Sequence, residues 1–440
     1  MAKYVFLEWP AHGHVGPTLA VAQELVKRGQ EVIYYLPEQF KEAVQATGAV
    51  LRSYETTLGS TLIRDAIAGR STTVSRDSDR SHPLQMSYDS KLEDLLAMMA
   101  GTAFGLLGTK LPALMAVESS YVLPQVLDRI RTEQPDYIVY RSTCVWARIV
   151  VQVLNVPAIT FRTTYVINEY ISHISSVLMQ QRDLSVSQQE MIKNKINVIA
   201  ADLCKTYYIP SFDASNIFAH DGQRAIVFIP KAFQPAGDSL DERYIFVGPS
   251  ILPRHEASNF PLDKLSNERP ILYISLGTIL NNQPEFFKMC FEAFGGQPWQ
   301  VILSRGRKVD PTALGPAPDN FLVSPYVPQL EILPRTQVFV THAGMNSTME
   351  SLYYGVPMVA IPQTDEEVIT ARRIAEMGLG IALEKEMVNV TMLREAVERV
   401  ANEVTFRQRV RDMQQIIHEA GGYERAADAI MQFAKEHTKA

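Results

Sequence analysis

The 440-residue chain sets 42 Lys and Arg against 48 Asp and Glu, a formal net charge of −6, with 46% hydrophobic and 20% charged residues. That is apolar material for more than one buried core, and length alone suggests two or three domains. An acidic balance without a basic stripe argues against a nucleic-acid binder, because such proteins carry a basic surplus to meet phosphates.

Cys144, Cys204 and Cys290 lie far apart without C-x-x-C spacing, so neither a disulfide framework nor a zinc site is expected, and a reducing cytoplasm fits. The opening MAKYVFLEW enters a strand pattern directly, without the basic region, apolar run and small-residue cleavage site of a secretion signal. The most apolar tract, Leu95 to Thr109, is shorter than the roughly 18 to 20 residues a membrane helix needs and is interrupted by glycines. It is expected to be a pocket wall or buried helix, with no stable membrane insertion.

In chain order, Tyr4 to Trp9 is an apolar run and Pro10 to Gly16 a loop rich in glycine and histidine. Pro17 to Lys27 has helical periodicity with Pro17 in the first turn, Arg28-Gly29 is a C-terminal cap, and Glu31 to Leu36 is a strand. This βαβ unit implies a parallel sheet, with ligands expected at the carboxyl ends of its strands. Asp136 to Tyr140 and Pro157 to Phe161 are further strands with a helix, Trp146 to Leu154, between them. Residues 59 to 134 and 165 to 215 are less regular, as insertions that carry binding function often are.

From Phe233 to Pro253 prolines and glycines interrupt the periodicity, which marks a domain linker. A second α/β series follows. Strands are expected at 271 to 275, Trp299 to Ser304, Phe321 to Ser324, Val338 to Thr341 and Met358 to Ile361. Helices are expected at Pro284 to Phe294 and Met345 to Tyr354, then at 366 to 377, 392 to 419 and 424 to 436. The expected domains are therefore 1–235, 236–420 and a C-terminal helix, 421–440, packing back on the first.

Two stretches carry chemistry. In THAGMNSTMESLYYGVPMVAIPQ (341–363), a strand, a glycine and a helix start make a site for an anion, because unpaired N–H groups and a partial positive charge gather at a helix N-terminus. Gly344 lets a phosphate approach the backbone, and Asn346 and Ser347 add donors. Ser347-Thr-Met-Glu350 also fits a capping box that needs no ligand. In PAHGHVGP, His12 and His14 precede a helix, where positive potential disfavours imidazolium and leaves a neutral ring able to take a proton. Both histidines equally fit a role as loop filler. Asp77-Ser-Asp79 spells D-x-D but sits in a polar stretch without a flanking strand, so a solvated loop is expected. Asn346-Ser-Thr and Asn389-Val-Thr match the glycosylation spelling by chance.

Residues 341–363, together with AHGHVGPTLAVAQELVKRG, FVGPSI, ISLGT and YVPQ in the same order, resemble nucleotide-sugar-dependent glycosyltransferases. The match is to the GT-B fold and the bacterial macrolide-type branch of the UDP-glycosyltransferase superfamily. The resemblance implies two Rossmann-like doubly wound α/β domains facing across a cleft. It implies an inverting, metal-independent transfer of a sugar from a UDP- or TDP-sugar to a hydroxyl of a macrolide or flavonoid, with no cofactor beyond that co-substrate. On matching positions His342, Gly344, Asn346 and Ser347, with Ser275 and Thr278, would hold the donor diphosphate, and Glu350 the ribose. Val327 and Gln329 would face nucleobase and ribose, and Glu366 and Glu367 the sugar hydroxyls.

His14 matches the family's general base, but its usual aspartate partner is here Arg141. Arginine cannot accept from an imidazole, so Ser142, Thr143, Glu8 or Glu169 would have to orient the ring, unless the match is locally shifted or the protein is a slow relative. Glu367 stands where the family usually has Gln, which leaves the donor sugar open. The alternatives are an impaired binding protein, marked by ligand-induced thermal shifts without turnover, and a nucleotide-sugar epimerase, against which release of free UDP only in the presence of an acceptor would argue.

Overall fold

The structure, a computed structural model, describes residues 1–56, 111–180, 186–210, 212, 214, 224–252, 260–278 and 280–437. The chain forms two compact units, Met1–Ser250 with Gly421–Ala440 and Ile251–Ala420. The Asp77-Ser-Asp79 spelling and the Leu95 to Thr109 tract lie outside the described residues. Among the described residues no helix is long and apolar enough to cross a membrane, and all three cysteines are buried thiols.

In chain order the first unit contains β1 (Lys3–Leu7), α1 (His12–Lys27), β2 (Glu31–Tyr35), α2 (Lys41–Gln45), β3 (Val50–Arg52), α3 (Leu111–Glu133), β4 (Tyr137–Arg141), α4 (Val145–Leu154), β5 (Ala158–Arg162), α5 (Glu169–Gln180), α6 (Val186–Tyr207), β6 (Ala225–Val227) and β7 (Tyr244–Phe246). The second contains β8 (Ile271–Ser275), α7 (Pro284–Phe294), β9 (Gln300–Ser304), α8 (Pro311–Leu314), β10 (Phe321–Ser324), α9 (Gln329–Ile332), β11 (Thr336–Thr341), α10 (Met345–Tyr353), β12 (Met358–Ala360), α11 (Asp365–Glu376), β13 (Gly380–Ala382), α12 (Val390–Asn402) and α13 (Val404–Glu419). The final helix, α14 (Gly422–His437), returns to the first unit.

Among these elements the first sheet has the order β3-β2-β1-β4-β5-β6-β7 and the second β10-β9-β8-β11-β12-β13. The pairings that join β1 to its neighbours and β8 to its neighbours are parallel. Each sheet reverses direction of build beside its first strand, between β1 and β4 and between β8 and β11. Open α/β sheets bind ligands at such switch points, outside the strands' carboxyl ends.

Both faces of the first sheet are buried. On β1, Val5 and Leu7 pack with Leu123 and Val126 of α3 and Trp146 of α4, while Tyr4 and Phe6 pack with Val21 and Leu25 of α1 and Ile430 and Phe433 of α14. Alternation along a strand covered on both faces explains why these strands read as continuous apolar runs. The hydroxyl of Tyr137 donates to the carbonyl of Ala434 at 2.8 Å, which fixes α14 to β4, the central strand of the sheet.

Several elements differ from expectation. Helix α1 begins at His12: Ala11 is extended (φ −119°, ψ 133°), and the amides of His14 and Val15 both donate to its carbonyl at 2.8 and 3.0 Å. Pro17 therefore lies inside the helix, where the bond it forgoes reaches back only to Gly13 in the first turn. Its other end stops as expected, with Gly29 at φ +77° and Gln30 N donating to Leu25 O at 3.0 Å.

Within the stretches read as irregular, Leu111–Glu133, Glu169–Gln180 and Val186–Tyr207 are helices. Pro124 inside α3 and the polar surface of α6 had masked their period. Tyr244–Phe246, within the stretch read as a linker, is the last strand of the first sheet. The helix expected over 392–419 is two, broken at Glu403 in an extended conformation (φ −75°, ψ 112°). Asn389 of the second glycosylation spelling caps α12, its side chain accepting from Met392 N at 3.0 Å.

Candidate functional site

In the second unit Ser275 ends β8 and Thr341 ends β11, paired with one another across the switch point. The turn out of β11 runs through His342, Ala343 at φ +64° and Gly344 into α10. A left-handed alanine costs about 1–2 kcal/mol, so the turn is held against local preference by its surroundings.

Gly277 and Gly344 close around the His342 ring. A Cβ on Gly277, itself at φ +75°, would stand 2.6 Å from His342 Cε1 and Nε2, and one on Gly344 would overlap Nε2. Both positions thus require glycine on steric grounds. Burial pushes the His342 imidazole down to about 4, against a smaller opposing effect of the Ser275 backbone, so the ring is neutral at physiological pH.

Helix α10 starts without a side-chain cap. Its first-turn amides are therefore not taken by a residue at the cap position, and Thr348 N is the amide that donates to Gly344 O, at 2.9 Å. Asn346 and Ser347 lie half-buried on this first turn, beside the half-buried Gly344, while Thr278 is exposed. Ser275 is buried and its hydroxyl accepts from Gly277 N at 3.3 Å.

One turn on, Gln329 Nε2 donates to Glu350 Oε2 at 2.5 Å and to Ser347 Oγ at 3.3 Å, while its Oε1 accepts from the Tyr273 hydroxyl at 3.2 Å. The structure thus brings together Ser275, His342, Gly344, Asn346, Ser347, Gln329 and Glu350. The capping box open at Ser347–Glu350 is not formed, because the helix begins at Met345 with Gly344 at the cap position, which places Ser347 inside the first turn. Val327 is 3% exposed and packed away, and its neighbour Tyr326 is the exposed ring.

Glu366 and Glu367 part company. Glu367 is the third residue of a capping box on α11: its Oε2 accepts from the amides of Gln363 and Thr364 at 2.7 and 2.9 Å, and Thr364 Oγ1 accepts from Glu367 N. Its Oε1 lies 3.9 Å from His342 Nε2. Burial raises this carboxyl to about 7, partly offset by those hydrogen bonds. Glu367 is engaged with its own helix start and with His342, whereas Glu366 lies half-buried on the first turn of the same helix.

Sequence reading missed Tyr273, whose place in a continuous apolar strand hid its hydroxyl, and the steric role of Gly277, hidden because a glycine before Thr278 reads equally as an ordinary turn.

In the first unit, Leu7 pairs with Tyr140, so Glu8 and Arg141 stand next to each other at the carboxyl ends of β1 and β4. Arg141 is 5% exposed, its Nε donating to Thr143 Oγ1 at 3.0 Å and its Nη1 to Thr163 Oγ1 at 2.9 Å. His14, in the first turn of α1, is half-buried. Desolvation, and then the Arg141 charge, hold its imidazole well below the usual value. Glu169 is exposed at the start of α5.

The chain is similar to solved GT-B glycosyltransferase structures, including a calicheamicin glycosyltransferase (TM-score 0.76, 26% identity, 100% of both chains) and the glycosyltransferase of kitacinnamycin (TM-score 0.75, 26% identity, 98% of both). Residues 256–421 match the UDP-glucoronosyl and UDP-glucosyl transferase family. An NDP-glycosyltransferase of Bacillus licheniformis is 36% identical over 96% of both chains, and the demethyllactenocin mycarosyltransferase of Streptomyces fradiae is 31% identical over 98% of this chain and 86% of its own. The chain belongs to the UDP-glucoronosyl and UDP-glucosyl transferase family, and its activity is glycosyl transfer.

Proposed function

We propose that the protein transfers a sugar from a UDP- or TDP-sugar to a hydroxyl of an apolar or aromatic small molecule, such as a macrolide or flavonoid, with inversion at the anomeric carbon. The observation that carries this is the uncapped start of α10, with His342 wedged between two glycines and Glu350 held by Gln329 one turn further on. The helix mouth offers amides and a positive dipole end to a diphosphate, and neutral His342 adds a donor without a charge to desolvate. Glu350 offers carboxylate oxygens to ribose hydroxyls. Stabilising the departing diphosphate in this way requires no metal ion.

In the first unit His14 is the proposed general base. Its ring is neutral across the physiological range and so free to accept the acceptor's hydroxyl proton, an effect typically worth about 10²- to 10⁴-fold in rate. The names of the Streptomyces fradiae relative and of the calicheamicin enzyme support an acceptor of natural-product type.

His14→Ala tests the reading with UDP-glucose and a flavonoid panel. Turnover should fall by orders of magnitude with UDP affinity intact, and the product should carry the inverted anomer by NMR. An unchanged rate, or retention of configuration, would remove the one-step base mechanism.

A further inference from the structure

Glu8 is a fully buried acid for which the fold offers no structural use. It is 0% exposed, and neither carboxylate oxygen has a hydrogen-bond partner. A buried polar group left unpaired costs about 1–3 kcal/mol, more when charged, and natural sequences rarely tolerate it without a reason. Two other groups belong to the same end of the sheet, and the Arg141 charge acts on both Glu8 and His14. Arg141 stands next to Glu8 by register on the neighbouring strand. His14, on the helix that β1 feeds, has a buried Nδ1 that is likewise without a partner. Acid and imidazole therefore both feel the Arg141 charge beside the β1/β4 switch point, each with buried atoms unsatisfied.

Charge decides what this triad can do. When His14 takes a proton, imidazolium and guanidinium lie close together in a site of low polarity, where like charges strongly disfavour ionisation. A carboxylate in the same place removes the penalty. Of the other groups that the sequence offered, Ser142 and Thr143 carry no charge, and Glu169, the other acid, is exposed.

We propose, building on the assignment of His14 as base, that Glu8 is the positioning acid of this site: its carboxylate offsets Arg141 and accepts the Nδ1–H of His14. As the acceptor O–H bond breaks, the proton goes to Nε2, the oxygen bonds to the anomeric carbon, and the bond from that carbon to the diphosphate oxygen breaks. Glu8 stays ionised and touches no substrate.

Glu8 must therefore lose its own proton for the enzyme to work. Burial, eased by Arg141 and by the nearby Trp9 amide, raises that carboxyl to about 8. The other titratable groups that face it, Tyr34 after α1, Tyr54 beyond β3 and Cys144 before α4, are pushed above their ordinary values by burial, and His14 is pushed down. A rise in kcat with pH centred near 8 is thus the signature of Glu8.

The test measures kcat and KM for UDP-glucose with a flavonoid acceptor from pH 6 to 9.5. Glu8→Gln should lower kcat at least tenfold, leave KM for UDP-glucose unchanged and abolish the rise near pH 8. Glu8→Asp should keep the rise at a reduced kcat, which also covers the case in which the glutamine variant does not fold. A purely structural glutamate would change the melting temperature and leave the pH profile in place, and that result overturns the proposal, as does an unaltered kcat in Glu8→Asp. His14→Ala, run in parallel, separates the two ideas: loss of turnover there with an unaffected Glu8→Gln sinks only the role of Glu8, whereas full turnover sinks the base as well.

Discussion

Glu367 provides a test of the donor-side electrostatics that needs no substrate. Its carboxyl moves from an ordinary 4.5 to about 7, chiefly through burial. At about 1.36 kcal/mol for each tenfold change, the folded state disfavours the ionised form by at most about 3 kcal/mol. The folded protein holds this proton more tightly than the unfolded chain, so the contribution is fully present below pH 4.5 and is lost as pH rises through 7.

Glu367→Gln keeps an amide oxygen for the capping box on Gln363 N and Thr364 N, since glutamine serves at that position as well as glutamate. It removes only the ionisation. Calorimetry of both proteins should give matching melting temperatures for the second unit near pH 5. By pH 8.5 the variant should lead by up to roughly 6–12 °C, taking about 2–4 °C per kcal/mol for a domain of this size. A gap independent of pH, or a wild type that gains on the variant as pH rises, would refute the assigned burial of this carboxyl beside His342.

Gly277→Ala places a methyl 2.6 Å from the His342 ring at a left-handed backbone position; isothermal titration should show UDP binding weakened roughly tenfold or more, from about 1–2 kcal/mol of backbone strain and the displaced imidazole. An unchanged affinity would mean that His342 is not a donor contact. Gln329→Ala releases Glu350 and Ser347, and loss of such a bond to a charged partner costs about 1.5–3 kcal/mol. It should weaken UDP more than inorganic pyrophosphate, because Glu350 faces the ribose; equal losses for both would place Gln329 at the phosphates.

The sequence displayed the architecture well where strands are buried on both faces. ILYIS and DYIVY are continuous apolar runs because helices cover each side, and Gly277 after the first marks the turn out of its strand. It displayed poorly whatever depends on partners far along the chain. Helix α6 carries a long polar face, so its period is faint, and Tyr244–Phe246 is a strand only because β6 lies beside it.

The site divides along the same line. His342, Gly344 and Ser347 are contiguous and could be read as a helix mouth. The clamp on His342 also needs Gly277 from another strand, and Glu350 is set by Gln329 from another helix. Glu367, in a run of three acids, reads as a solvated helix start. Only the fold shows that the third acid turns inward to close the capping box.

A crystal structure of the protein with bound UDP tests the central claim most directly. The account predicts the β-phosphate against the first-turn amides of α10 beside His342, with the ribose hydroxyls on the Glu350 carboxylate. A nucleotide seated anywhere else, with that helix mouth filled only by water, would contradict it.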